Sequence, residues 1–105
     1  MTNIDFIKAQ LPLKEILAQL AEESAELGKA ALKLRRVIDG TNPTPVTLVQ
    51  ATENLAEEIA DVLLCLAVIG FDLDELEEFR PAMNIKLQRW VNRLLEVERS
   101  ADDGK

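Results

Sequence analysis

The chain has 105 residues and a formal net charge of −7, which fits a single domain and argues against a nucleic-acid backbone as its partner. Its composition, 48% hydrophobic and 30% charged, is typical of a globular protein with a small core that association would help to stabilise. It contains no histidine, which excludes most zinc sites and the nucleophile systems that depend on histidine.

The longest apolar run extends from Val62 to Phe71, which is too short to span a bilayer. The N-terminus lacks the basic and apolar regions of a signal peptide. The single cysteine, Cys65, lies inside the apolar run, cannot form an internal disulfide and is expected to be a buried, inert thiol. We therefore expect a cytoplasmic protein without a membrane partner.

The first half of the chain predicts two helices, because apolar residues recur at helical spacing and no segment alternates as a strand would. A short helix is expected over about Asn3–Gln10, with Asn3 as its cap. Pro12 separates it from a long helix over roughly Leu13–Ile38, and Gly40 is a natural stop for that helix.

The second half of the chain predicts another long helix and a final helical region. The long helix begins near Thr47, where Thr47 and Gln50 have the spacing of a capping box, and it ends at Gly70. Because this helix is apolar nearly all round after Asp61, it is expected to be the central helix or an oligomer contact.

The final helical region is expected to start at a cap formed by Asp72 and Glu75, to kink or break at Pro81, and to end near Glu98. Ser100–Lys105 is expected to be a disordered polar tail. The predicted fold is a single all-α domain over residues 1–105, an antiparallel four-helix bundle-like arrangement with short extra helical segments.

Two pairs of acids interrupt the apolar stripes of the two long helices. The pairs are Glu23 with Glu26 and Glu58 with Asp61, and each is spaced i, i+3, so that both carboxylates leave the helix on the same side. Acidic pairs on helices are more often solvated, but these point where the stripe points, toward other helices. Converging carboxylates repel one another, and a divalent cation is the simplest compensation.

The metal expected at such a site is Mg²⁺, with Mn²⁺ as a substitute, because only oxygen ligands are available and hard cations prefer oxygen. Mg²⁺ usually keeps several waters and also binds substrate phosphate. A carboxylate cluster open at one side suits that use.

At these acids the chain resembles a known family, the MazG-like all-α nucleoside triphosphate pyrophosphohydrolases, which are related to dimeric dUTPases and dCTP pyrophosphatases. The family pattern is Glu-Glu-x-x-Glu on one helix and Glu-x-x-Asp on the next, which here reads Glu22-Glu23-Ser24-Ala25-Glu26 and Glu58-Ile59-Ala60-Asp61. The resemblance covers about residues 14 to 93 and includes Phe71–Leu76, which is similar to the family's turn into its last helix.

The resemblance implies Mg²⁺-dependent hydrolysis of a nucleoside triphosphate to a nucleoside monophosphate and pyrophosphate, a house-cleaning activity on nucleotide pools. It implies metal binding by Glu23, Glu26, Glu58 and Asp61, with Glu23 or Glu26 also orienting the attacking water. Arg80, Asn84 and Lys86 would contact phosphate oxygens, and Arg80 stands where the family typically has lysine. A homodimer or homotetramer is expected.

Two other functions remain open at this level. One is a non-catalytic helical interaction or adaptor module, which would need no metal and would tolerate neutralisation of Glu58 or Asp61. The other is a nucleotide-sensing relative that keeps the pocket without turnover.

Overall fold

The protein is all-α in the computed structural model, which describes residues 2–43 and 45–103. Its helices are α1 (Asn3–Gln10), α2 (Leu13–Asp39), α3 (Leu48–Ile69) and α4 (Arg80–Asp103). Across these described ranges there is no strand, and the all-α prediction is confirmed. The same residues contain no helix with the length and apolar character that a bilayer crossing requires.

Two helices begin with capping boxes. Thr47 accepts a hydrogen bond from the backbone N–H of Gln50 at 3.1 Å, and the Gln50 side chain accepts one from the backbone N–H of Thr47 at 3.0 Å, as predicted. The predicted cap of α1 was wrong by one residue: Thr2 is the N-cap, and it exchanges the equivalent bonds with Asp5.

Both α2 and α3 end at glycine, as predicted. Gly40 follows α2 in the left-handed region with φ 75°, and Gly70 follows α3 with φ 121°. These backbone conformations are strained for residues with a Cβ atom, so glycine is the residue that allows each helix to stop there.

The start of α4 differs from the prediction. No helix begins at Asp72 or Glu75, and turns precede a helix that starts at Arg80. Pro81 lies in the first turn of α4 instead of kinking a longer helix, because a backbone N–H in the first turn has no acceptor within the helix and its loss costs nothing there.

The end of α4 also differs from the prediction. The helix continues through Asp103, past the predicted end near Glu98 and into the segment expected to be disordered. Residues 104 and 105 of that segment lie outside the described residues.

The chain divides into two compact units, one ending at Leu73 and one beginning at Asp74. In the first unit, α3 contacts both α1 and α2. The second unit contains α4. The single domain expected for residues 1–105 stays a prediction.

Helices α2 and α3 run antiparallel, which decides which side chains meet. Near the start of α2, Ile16 shares a cavity with Cys65 and Val68 of late α3, whereas Ala30 lines a groove with Asn54 of early α3. The buried residues of this unit are few and mostly small: Ile16, Ala30, Ala51, Cys65 and Val68. Small side chains at a contact allow two helix backbones to approach closely.

We predict that Thr47→Ala lowers the free energy of unfolding by about 1 kcal/mol, because the N-terminal N–H groups of α3 lose their side-chain acceptor. Urea denaturation followed by circular dichroism measures the change. Thr52→Ala is the matched control, because Thr52 lies inside the same helix, where its hydroxyl donates to the carbonyl of Leu48. An equal loss in both variants would contradict a specific role for the cap.

Candidate functional site

Three carboxylates from the two long helices of the first unit come together. Glu23 of α2 and Glu58 and Asp61 of α3 each offer an oxygen, and these oxygens all lie within 4.8 Å of one another. Glu23 and Glu58 are half-buried, while Asp61 is exposed. Three of the four acids singled out from the sequence therefore form one group, named here the acid cluster.

Helix geometry places two of these acids on one side of α3, and a hydrogen bond orients the third acid on α2. Glu58 and Asp61 lie almost one turn apart on α3, so they leave the helix on one side. Gln19, one turn before Glu23 on α2, donates a hydrogen bond from Nε2 to Oε1 of Glu23 at 2.7 Å. This bond holds the Glu23 carboxylate while leaving its second oxygen free of this contact.

Glu26, the fourth predicted acid, lies beside the cluster. It is exposed, and its carboxylate accepts a hydrogen bond from Nζ of Lys29 at 3.3 Å. It nevertheless lines a groove together with Glu58, and its negative charge acts on that residue. Glu22 and Glu57 are exposed, as expected for the outer members of the two acidic runs.

Electrostatic repulsion in the cluster acts most clearly on Glu58. Its pKa is raised above the ordinary value of 4.5, first by partial desolvation and then by the negative charges of Asp61, Glu23, Glu26 and Glu57. Both causes disfavour the ionised carboxylate in the folded protein. A nearby cation would therefore stabilise the ionised carboxylate of Glu58.

The lone thiol adjoins this cluster. Cys65 is buried, and its pKa is raised by that burial and by the charges of Glu23 and Asp61. Because the thiolate is the reactive form, this environment suppresses reactivity. The predicted burial of Cys65 is confirmed, and the direction of its pKa agrees with an inert thiol.

The donor set of the cluster suits a small hard cation. Mg²⁺ binds oxygens at 2.0–2.1 Å in an octahedron, so ligand oxygens on opposite sides of the ion lie about 4.2 Å apart. The oxygens of the cluster lie within 4.8 Å of one another, a range comparable with that spacing. The remaining ligand positions would belong to water or to substrate oxygens.

A groove borders the cluster on the side toward the C-terminal half of α2. Its volume is about 350 Å³. It is lined by Glu26, Lys29, Ala30, Lys33, Arg36, Asn54 and Glu58. Sequence reasoning assigned no role to Lys29, Lys33 or Arg36, although their i, i+4, i+7 spacing after the first acid pair was readable.

An apolar cavity lies at the other end of the same helix pair. Its volume is about 400 Å³, and α1, α2 and α3 all contribute to it. It is lined by Ile7, Leu11, Glu15, Ile16, Gln19, Leu64, Cys65 and Val68. Gln19 connects this cavity to the cluster through its hydrogen bond to Glu23.

The residues expected to contact phosphate, Arg80, Asn84 and Lys86, are exposed on α4 in the second unit. The Arg80 guanidinium donates two hydrogen bonds to the Glu77 carboxylate, from Nη2 at 2.9 Å and from Nε at 3.2 Å. Their phosphate role stays a prediction that rests on the resemblance.

Large apolar side chains are exposed on both α3 and α4. On α3 they include Ile59, Leu63 and Leu64. On α4, five of them recur at alternating spacings of four and three residues and are named here the α4 stripe: Met83, Leu87, Trp90, Leu94 and Val97. This spacing is that of a seam between packed helices.

Comparison with known proteins found no matching family model, no matching curated protein and no matching solved structure.

We predict that Glu58→Gln raises the melting temperature at pH 7 in the presence of a chelator, because it removes a carboxylate whose ionised form is disfavoured in the fold. The folded pKa is raised, so ionisation of Glu58 reduces stability as pH rises above about 4.5. The gain should therefore disappear on acidification below that value, where Glu58 is protonated in both states.

Glu53→Gln is the matched control, because Glu53 is exposed on the same helix and outside the cluster. Differential scanning calorimetry over a pH series measures both variants. A lower melting temperature for Glu58→Gln at pH 7, or an equal gain in the control, would contradict local repulsion at this site.

Proposed function

We propose that the protein is a Mg²⁺-dependent nucleoside triphosphate pyrophosphohydrolase that converts (d)NTP to (d)NMP and pyrophosphate. The single observation that carries the proposal is the approach of Glu23, Glu58 and Asp61 to within 4.8 Å across two helices. These residues stand at positions of the Glu-Glu-x-x-Glu and Glu-x-x-Asp motifs through which the chain resembles MazG-like enzymes.

Glu23, Glu58 and Asp61 would hold the metal, with Glu26 next to them. Bound Mg²⁺ would neutralise phosphate charge and polarise the phosphoryl group that is attacked. A bound cation would also offset the desolvation and the repulsion that together raise the pKa of Glu58. The same charges that weaken the metal-free protein would thereby contribute to metal affinity.

The carboxylates also have a role toward water. Hydrolysis forms a bond between a water oxygen and the α-phosphorus, breaks the bond from that phosphorus to the oxygen bridging to the β-phosphate, and releases a proton from the water. Glu23 or Glu26 would orient this water and accept its proton. Gln19 would keep Glu23 in position through its hydrogen bond. Arg80, Asn84 and Lys86 would bind phosphate oxygens, as the resemblance implies.

We further propose that the protein acts in the cytoplasm on free nucleotides as a homodimer or homotetramer. The exposed apolar residues of α3 and the α4 stripe support association, because one small chain leaves this surface in contact with water. The net charge of −7 supports a small-molecule substrate over a nucleic acid.

The second candidate is a non-catalytic helical interaction module, and the α4 stripe is the observation that favours it. Every described residue of α4 is exposed, and its apolar spacing suits docking of a partner helix. This function would not depend on the acid cluster. A nucleotide-sensing protein without turnover would depend on the cluster for binding alone.

We predict pyrophosphate release from a panel of dNTPs and NTPs in Mg²⁺ and its loss in chelator. Asp61→Asn should lower the rate by at least about 100-fold. Loss of a residue that only hydrogen-bonds to a metal ligand can already cost this much, and Asp61 would bind the metal itself. A coupled pyrophosphate assay measures the rates, and circular dichroism checks that helicity is intact.

Glu53→Gln serves as the charge-matched control and should retain full activity, because this exposed residue lies outside the acid cluster. A pure, folded protein that is inert on the whole panel would favour the interaction module. Full activity in Asp61→Asn would exclude the proposed metal site.

We predict that Leu94→Glu lowers the mass of the native protein in sedimentation velocity, toward that of the 11.7 kDa chain. A charge within the α4 stripe would be buried at the interface between copies and would oppose association. Leu95→Glu makes the same change at the next position, outside the stripe, and should leave the mass unchanged. A native chain that sediments as a monomer would contradict the proposed oligomer.

A further inference from the structure

We infer that the groove between α2 and α3 binds the pyrophosphate end of the substrate through Lys29, Lys33 and Arg36. This inference rests on the proposed function. It identifies the substrate class as compounds with at least two phosphoryl groups beyond the phosphorus that is attacked. The site lies in the same compact unit as the acid cluster and does not depend on α4.

Groove geometry places the three cations on one wall. Lys29, Lys33 and Arg36 are spaced i, i+4 and i+7, so they lie on one face of α2 and extend over about 10 Å of its axis. Asn54 on α3 lines the groove with them, and its amide can donate to an anion. The groove also includes Glu58, so it is continuous with the acid cluster.

The groove has a net positive charge, although the chain as a whole is acidic. Three cations face two carboxylates, Glu26 and Glu58, so the lining carries a formal excess of one positive charge on a chain of net charge −7. Lys29 already pairs with Glu26 at 3.3 Å. Within residues 2–43 and 45–103, no carboxylate lies within ion-pair distance of Lys33 or Arg36, and these two remain available for an external anion.

Arg36 and Lys33 suit phosphate in complementary ways. A guanidinium binds two phosphate oxygens with parallel hydrogen bonds, whereas an ammonium acts as a compact point charge. Lys33 is half-buried, which strengthens its attraction to an anion because less water screens the charge.

The order of features along the helix pair gives the substrate a direction. The apolar cavity at Ile16 and Cys65 comes first along α2, the acid cluster at Glu23 follows, and the basic groove comes last. A nucleoside triphosphate has the same order of apolar, reacting and highly charged parts. Its β- and γ-phosphates would therefore point toward the C-terminal end of α2.

The test is isothermal titration calorimetry with inorganic pyrophosphate in Mg²⁺-containing buffer. Lys33→Gln and Arg36→Gln should each weaken binding about tenfold, because each removes a charge-assisted hydrogen bond. Arg35→Gln is the matched control. Arg35 precedes Arg36 in α2 and carries the same charge, but it does not line the groove, so its loss should change affinity no more than about twofold.

Two results of the titration would overturn the inference: no pyrophosphate binding by the native protein, or equal weakening in all three variants, which would indicate only the effect of net charge. Nucleotide hydrolysis measured on the same proteins separates this inference from the proposed function. Specific pyrophosphate binding without turnover would support pyrophosphate binding by the groove and contradict the proposed enzymatic function. Unchanged turnover in Lys33→Gln and Arg36→Gln would support the enzymatic function and contradict a role of the groove in substrate binding.

Discussion

The close packing of α2 against α3 is the constraint on which the rest of the first unit depends. Small buried residues such as Ala30 and Ala51 let the two helices approach, and the antiparallel direction brings Glu23 opposite Glu58 and Asp61. The same packing that buries apolar surface therefore holds like charges together. The raised pKa of Glu58 reflects that conflict, since desolvation and repulsion both oppose its ionised form.

Such a conflict is commonly found where a protein binds a ligand, because stability is lost there in exchange for function. In this protein, other polar and charged groups surround the acid cluster. Gln19 orders one carboxylate, Lys29 engages the neighbouring Glu26, and the basic groove and the apolar cavity flank the cluster at opposite ends. Under the proposed function, each part of this arrangement would have a role toward a phosphate-bearing substrate and its metal ion.

Local rules explain where the sequence predicted the fold well and where it did not. The capping box at Thr47 and the stops at Gly40 and Gly70 depend on neighbouring residues alone, and they were predicted correctly. The start of α4 was predicted wrongly. Asp72 and Glu75 have the pattern of a helix cap, but Pro81 also favours the first turn of a helix, and α4 starts at Arg80. The pattern of residues does not say which of two valid signals prevails.

The sequence by itself determined the all-helical character of the chain, the absence of histidine chemistry and the i, i+3 pairing of acids within each helix, because these follow from spacing and residue type. Only the tertiary structure decided that Glu23 joins Glu58 and Asp61, and that Lys33 and Arg36 share a groove with Glu58. The physical reason is that spacing defines the face of one helix, whereas the distance between residues on two helices depends on their direction and register, which all of their contacts set together.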